Sequence, residues 1–288
     1  MRIIDMHVHT SASDGSYSPS GVVRLGEKAG LQAIAVTDHD TVSGIAEAVF
    51  AAKNSDIEVI PGIEISVGET GNTHILGFYI DPKNPGLAQA VEALQQGRRK
   101  RNIEMLRRLN SEGFSAGLSD IEKFAQTDNV GRPHIAQYMV KTGQAADYGQ
   151  FFRKYLSEGA PCYVHRETLS EEDGIRAITG AGGLPFLAHI TYFNKPYSEI
   201  EQILKRLIGF GLRGLECYYS NYTKEDEEFC LEMCEKYRLL RSGGTDFHGS
   251  RRKGVYLGTG RGNMCVSSEL LIPIKRSCSN FAIAPFFA

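Results

Sequence analysis

Tryptophan is absent from this 288-residue chain, and no stretch approaches the ~18 uninterrupted apolar residues that a membrane-spanning helix requires. A membrane-embedded role is therefore not expected. An excess of one charge is missing too: 32 Lys and Arg face 34 Asp and Glu, for a net charge of −2 and a pI near 6.5. Nothing global draws such a chain to nucleic acid or to a lipid surface, so any grip on anions must come from local clusters. The six cysteines include no Cys-x-x-Cys pair. Cys230 and Cys234 stand one helical turn apart, which reads as a packed helix face rather than a zinc clamp. Reduced thiols in an intracellular, cytoplasmic protein are the expectation. The first residues, Met1-Arg2-Ile3-Ile4-Asp5, enter a strand at once and leave no room for a secretory leader.

What is present is a core-forming composition, 42% hydrophobic and 9% aromatic, enough for one large domain or a domain with an insertion. Strands are predicted at residues 2–8, 33–37, 58–65 and 74–79, with helices at 18–29 and 41–53. Ser18 suits an N-cap and Pro19 a first helical turn. This alternation argues for parallel βα units. From residue 86 to 158 it stops. A long amphipathic helix at 87–110 and shorter ones near 119–126, 133–142 and 150–156 read as a helical insertion. Alternation resumes with helices at 170–181, 198–209 and 224–237 and strands at 184–188, 214–217 and 239–243. The expected organisation is a barrel domain from residues 1–85 and 159–262, an insertion at 86–158, and an apolar tail at 263–288 with no readable period.

Two histidines one residue apart close the first strand, in Asp5-Met6-His7-Val8-His9. Residues i and i+2 of a strand share a face, so His7 and His9 can present two imidazoles to one ion. The run ending at Asp14-Gly15 can bring a carboxylate back to the same spot. The pattern recurs. His39 lies in Thr37-Asp38-His39-Asp40, Glu64 in Pro61-Gly62-Ile63-Glu64, His74 opens the next strand, His189 follows Leu187-Ala188, and Asp246-Phe247-His248 repeats the i, i+2 spacing. Groups at strand ends converge in a βα barrel. Of eight histidines only His134 and His165 fall outside this set. His7, His9, Asp14, His39, Glu64, His74, His189, Asp246 and His248 together read as the ligands of a polynuclear metal centre.

In the insertion, Arg98 and Arg101 are three apart on a helix and so neighbours on one face, within the basic run Arg98-Arg99-Lys100-Arg101. Guanidinium groups bind phosphate bidentately. In Gly131-Arg132-Pro133-His134, Arg132 and His134 flank Pro133 at a helix start, where free N–H groups favour an anion. Tyr218, Tyr219 and Tyr222 read as packing residues, and His165 and Lys154 receive no role.

These ordered motifs resemble those of the PHP (polymerase and histidinol phosphatase) superfamily, over residues 1 to about 260. The resemblance implies an α/β fold, a distorted (β/α)7 barrel of the PHP type with a helical insertion, and two or three metal ions at the strand C-termini. It implies that His7, His9, Glu64 and Asp246 hold one ion, that Glu64 bridges to a second held by His74 and His189, and that Asp14, His39 and His248 hold a third. Nitrogen and oxygen donors without thiolate suit Mn²⁺, with Fe²⁺ or Zn²⁺ possible. Two ions about 3.5–4 Å apart acidify a water and clamp phosphate oxygens. His39 and His248 are the candidates for protonating the leaving oxygen.

The insertion, with Arg98, Arg99, Lys100, Arg101, Gly131, Arg132, Pro133 and His134, resembles the branch that includes the 3′,5′-nucleoside bisphosphate phosphatases. His39 and His248 join these residues as substrate contacts. The implied activity is removal of the 3′-phosphate from a small nucleotide partner such as adenosine 3′,5′-bisphosphate. A 5′→3′ exonuclease on short oligonucleotides is the alternative enzyme, a non-catalytic metal-dependent binding module the alternative of another class, and histidinol phosphatase fits the arginines less well.

Overall fold

The computed structural model describes residues 2–278 apart from Thr70 and Asp128. Seven strands lie side by side in chain order: β1 (Ile3–Val8), β2 (Leu31–Val36), β3 (Glu58–Val67), β4 (Thr73–Phe78), β5 (Leu184–Leu187), β6 (Gly214–Tyr219) and β7 (Leu240–Gly244). A bridge between Val8 and Phe247 brings the first and last edges together, so the sheet curls into a nearly closed barrel. The expected distorted α/β barrel is the architecture found.

The distortion has a specific source. β4 runs antiparallel to both β3 and β5, whereas the other neighbours are parallel. Only residues 68–72 separate β3 from β4, too few for a crossover helix, so the chain doubles back. The parallel pairing of the βα units is thus interrupted at one strand. The reversal has a consequence for chemistry. The start of β4, not its end, lies at the barrel mouth where the other strands finish.

Helices α1 (Pro19–Lys28) and α2 (Ile45–Ala51) pack outside the first strands. The Ser18 hydroxyl caps α1 by accepting the Gly21 N–H at 3.1 Å. α2 is shorter than the predicted 41–53. Thr41 turns its hydroxyl onto the Ser43 N–H at 3.2 Å, a local bond that competes with helix formation. The middle of the chain forms α3 (Pro85–Ser111), α4 (Leu118–Ala125), α5 (Arg132–Lys141) and α6 (Tyr148–Phe151), which continues into a π-helical turn at Phe152–Leu156. Met105, Leu109, Ile121, Ile135, Met139, Phe151 and Leu156 give these helices a core of their own. α7 (Glu171–Gly180), α8 (Tyr197–Gly209) and α9 (Lys224–Tyr237) complete the outer layer.

The barrel interior is filled by Ile4, Met6, Ala33, Ala35, Ile60, Leu76, Phe78 and Phe186. Part of the apolar tail has a clear place. α10 (Leu271–Ser277) inserts Leu271 and Ile274 into this same core, and Ile4 donates its N–H to the Val266 carbonyl at 3.0 Å. Residues 279–288 of the tail lie outside the described residues.

One irregularity sets up the site. The pairing of β1 with β2 slips by a residue between Asp5 and Val8. Ile4 and Met6 face the interior core, while Val8 faces the outer one. The bulge therefore turns His7 and His9 inward as well, onto the side already taken by Ile4 and Met6. Across the closing seam, Gly244 at the end of β7 must approach this bulge closely: a Cβ there would lie 2.3 Å from the His7 nitrogen and 2.4 Å from its Cβ. Gly244→Ala is expected to destabilise the fold by about 1–3 kcal/mol, the range for overpacking, and to lower metal content. Thermal denaturation and elemental analysis check this; a variant matching the parent in both would refute the close-approach requirement.

Candidate metal centre

The strand ends deliver all nine expected side chains to one place. His7 and His9 come from the bulge of β1, and Asp14 from the loop after it. His39 follows β2, Glu64 lies in β3, His74 opens the reversed β4, His189 follows β5, and Asp246 and His248 follow β7. Glu64 sits at the middle. Its Oε1 is 2.8 Å from His74 Nδ1 and 2.8 Å from His189 Nε2, and its Oε2 is 2.9, 3.2 and 3.4 Å from nitrogens of His39, His9 and His7. Asp246 Oδ1 is 3.2 Å from His9 Nε2 and 3.4 Å from His248 Nδ1. Asp14 Oδ1 is 3.2 Å from His248 Nε2. The donors form overlapping groups: His9, Asp14, His39 and His248; His7, His9 and Asp246; His7, Glu64 and His189; His39, Glu64 and His74.

The atoms fit metal ions by a direct criterion. Buried polar atoms are nearly always hydrogen-bonded. Here His7 Nε2, both ring nitrogens of His9, His39 Nδ1 and Glu64 Oε2 are buried without such a partner, and all of them belong to residues of these donor groups. Imidazole and carboxylate donors left bare in one cluster are what divalent cations satisfy.

A surrounding set of carboxylates fixes these ligands. Glu216 accepts from His7 Nδ1 at 2.9 Å and from the His189 N–H at 2.8 Å, turning His7 Nε2 to the cluster. Asp38 accepts from the Thr10 N–H and hydroxyl, each at 2.7 Å, and from the Ser13 hydroxyl at 2.5 Å, holding the loop that carries Asp14. Asp5 accepts from the Thr245 N–H and hydroxyl at 2.8 and 2.6 Å, bracing the turn before Asp246. Burial alone would strip charge from this cluster, yet its members compensate one another. Burial opposes a proton on His7, but Glu216, Glu64 and Asp246 hold it well above the usual imidazole range. Burial likewise opposes one on His9, and Asp246 and Glu64 push it up to about 10. Glu64, Asp14 and Asp246 stay below the carboxylate range because burial is outweighed by cationic neighbours.

The centre forms one end of a cavity of about 550 Å³. Arg98, Arg101, Arg132 and Arg166 line another part, with Gly131, Pro133, Tyr148, Phe152 and Tyr163. Arg101 is buried, and its side chain donates to Asn102 Oδ1 at 2.8 Å. Burial, then the charges of Arg98, Arg132 and Arg166, pull its pKa well down. Arg132 lies over the rings of Phe152 and Tyr163 and donates to the Leu156 carbonyl at 3.3 Å. Neither has a carboxylate within ion-pair distance among the described residues. Guanidinium groups so placed can accept an anion.

Three expectations for the insertion are corrected. Arg99 and Lys100 are exposed outside the cavity, paired with Glu122 and Glu167, because successive helical positions turn by about 100° and only 98 and 101 share the inner face. His134 is buried behind the wall rather than in it, bonded to Arg251 at 2.6 Å. Its Nδ1 also accepts the Gly131 N–H at 3.0 Å, so that helix-start donor is not free for a ligand. Several lining residues were missed: Arg166, Tyr192, Arg251 and Arg252. Arg252 pairs with Asp246 and donates to the Tyr219 hydroxyl at 2.7 Å. Glu216 had a readable signal, a lone acid inside the apolar strand β6. Tyr219 and Tyr222 are packing residues, as expected.

A seven-stranded α/β barrel with such a donor cluster at its mouth is a metal-dependent phosphoesterase of the PHP type. The chain belongs to the PHP domain family, whose profile matches residues 5–210. It is similar to the 3′,5′-nucleoside bisphosphate phosphatase of Chromobacterium violaceum, 32% identical over 260 residues that cover 90% of this chain and 91% of that protein. It is also similar to a 5′-3′ exoribonuclease of Haemophilus influenzae, 31% identical over 245 residues covering 85% and 89%. Among solved structures, a protein of Bifidobacterium adolescentis described as a metal-dependent phosphoesterase superposes with a TM-score of 0.81 at 26% identity, covering 96% of each chain.

The electrostatics predict proton-coupled metal uptake. With His7 and His9 held protonated at neutral pH in the metal-free protein, ligation must expel those protons, so affinity rises with pH through the neutral range. Calorimetric Mn²⁺ titration at pH 7 in two buffers of different ionisation enthalpy should show release of about one proton or more. Heats independent of the buffer would refute it.

Proposed function

We propose that this protein removes the 3′-phosphate from nucleoside 3′,5′-bisphosphates, adenosine 3′,5′-bisphosphate among them, leaving the 5′-monophosphate and inorganic phosphate. One observation carries the reading: a single cavity with the metal-type donor cluster at one end and, at the other, Arg101 and Arg132, which have no carboxylate partner among the described residues. A bisphosphate offers a phosphate to each end. We assign Mn²⁺ to the donors, two or three ions, with Fe²⁺ and Zn²⁺ compatible with the same nitrogen and oxygen set. Divalent ions held there supply Lewis acidity and a water ionised at neutral pH.

The remaining work falls to the chain itself. Arg101 and Arg132, with Gly131 and Pro133 in the adjoining wall, hold the phosphate that is not cleaved, and guanidinium forks suit its oxygens. His39 and His248 border the cavity at the edge of the donor cluster, where a ring nitrogen not taken by an ion would be placed to deliver a proton to the departing ribose oxygen. His248 Nδ1 faces the Asp246 carbonyl at 2.8 Å, which leaves its Nε2 on the cluster side. Six cysteines without disulfide bonds fit a cytoplasmic setting.

A second reading has one observation in its favour. Tyr192 is half exposed at the mouth, with its ring 4.3 Å from that of His189, where it could stack a base beyond the scissile bond. This is the position that the next nucleotide of a short oligonucleotide would take in 5′→3′ exonuclease action. A binding module without catalysis fits poorly with a complete donor set.

A phosphate-release screen with Mn²⁺ decides between the two enzymes. Faster release from the bisphosphate than of mononucleotides from a 5-mer supports the phosphatase; the reverse order overturns it. Arg132→Ala should raise KM for the bisphosphate by about 10–100-fold, the scale of a lost charged hydrogen bond, and that for a simple aryl phosphate far less. Equal effects on both substrates would remove Arg132 from recognition.

A further inference from the structure

Asp40 belongs neither to the donor cluster nor to the arginines, yet it touches both. It directly follows His39, and its N–H donates to the Glu64 carbonyl at 2.9 Å. Its backbone takes the left-handed conformation, φ +50°, which Asp and Asn tolerate better than most residues. The side chain is wholly buried. Oδ2 accepts from Arg98 Nε at 2.8 Å and Nη2 at 2.5 Å and from Arg166 Nη1 at 2.7 Å, while Oδ1 accepts the Ser66 N–H at 3.0 Å. Its carbonyl takes a further bond from Gln95 Nε2 at 3.2 Å. One residue thus ties β3, the long helix α3 and the segment before α7 to the loop that carries His39.

We propose that Asp40 is a positioning residue for the anion end of the cavity, acting through Arg98 and Arg166; this rests on the bisphosphate reading above. Four arginines crowd this wall, and burial first, then their mutual repulsion, lowers the pKa of Arg101 and holds that of Arg166 down to about 10. Long cationic side chains in such company would swing apart or out to solvent. A single buried carboxylate pins two of them from behind. Arg101 and Arg132, lacking a carboxylate among the described residues, are left to face the ligand. The phosphate then meets a charge array that is already ordered, and less of its binding free energy goes into ordering side chains. Because Arg98 stands early in the helical segment and Arg166 just after it, Asp40 also clasps both ends of that segment to the barrel beside a metal-ligating histidine.

The test is Asp40→Asn, which keeps the shape and the backbone tolerance and removes the charge. With folding verified by circular dichroism and metal content by elemental analysis, KM and kcat are measured for a nucleoside 3′,5′-bisphosphate and for an aryl phosphate. The expected result is a KM for the bisphosphate raised about 10–100-fold, at least tenfold more than the rise for the aryl phosphate, with kcat moving less than KM. Equal KM changes for the two substrates, or a change confined to kcat, would overturn the proposal. Arg166→Gln should reproduce part of the KM shift, and the double variant should fall short of the product of the two single effects; effects that multiply would overturn it. Should Asp40→Asn not fold, Asp40→Glu, which keeps the charge but displaces the guanidiniums, carries the same KM comparison. A parent protein with no preference for the bisphosphate over a nucleoside 3′-monophosphate sinks the substrate reading. A preference that survives in Asp40→Asn sinks the role of Asp40 alone.

Discussion

Everything in this molecule is arranged about the carboxylate of Glu64. It is wholly buried at the barrel mouth, and five imidazoles stand within 3.4 Å of its two oxygens. A lone carboxylate in that place would be prohibitive, since removing a charge from water costs several kcal/mol even after relaxation. It is tolerable only if cations face it, either protons on the histidines or metal ions. The two structural irregularities of the barrel both serve this constraint. The slip in β1 brings His7 and His9 inward above an apolar plug, and the reversal of β4 puts His74 at the mouth instead of the base. A regular parallel barrel of the same residues would lose three of the five partners of Glu64.

The sequence reveals more of the site than of its supports, for a physical reason. Ligands lie at strand ends, and a strand has a period of two, so His7-Val8-His9 and Asp246-Phe247-His248 declare a shared face locally. The supports are long-range. Glu216 reaches His7 across 209 residues, and Asp40 reaches Arg166 across 126, and no local period records such pairings. The reversal of β4 was hidden in the same way, because an apolar run reads alike in either direction; the short gap before it, residues 66–73 between the strands read from the sequence, was the readable clue. In the basic run, a helix presents only every third or fourth residue to one side, so Arg98 and Arg101 reach the cavity while Arg99 and Lys100 do not. His134 shows the opposite lesson. It sits at a helix start as expected, but its own side chain consumes the N–H that an anion would have used.

The separation of charge within the cavity decides how chemistry and selectivity are divided. The end built by the barrel is rich in carboxylates and bare nitrogens and therefore attracts cations. The end built mainly by the helical segment is rich in guanidinium groups and attracts anions. Left in direct contact, the two would neutralise each other through ion pairs, and Arg252 on Asp246 shows that this happens where they meet. At the boundary, Asp40 pairs with Arg98 and Arg166, and the adjoining His39 lies against Glu64. Each end thus keeps its unmet demand: cations on one side, an anion on the other. A ligand that carries one phosphate can satisfy only one of them at a time. On the proposed reading a ligand with two phosphates answers both, and its far group would be held by residues that take no part in breaking the bond. Changes in the helical segment can therefore alter what is bound while the barrel residues that support hydrolysis stay as they are.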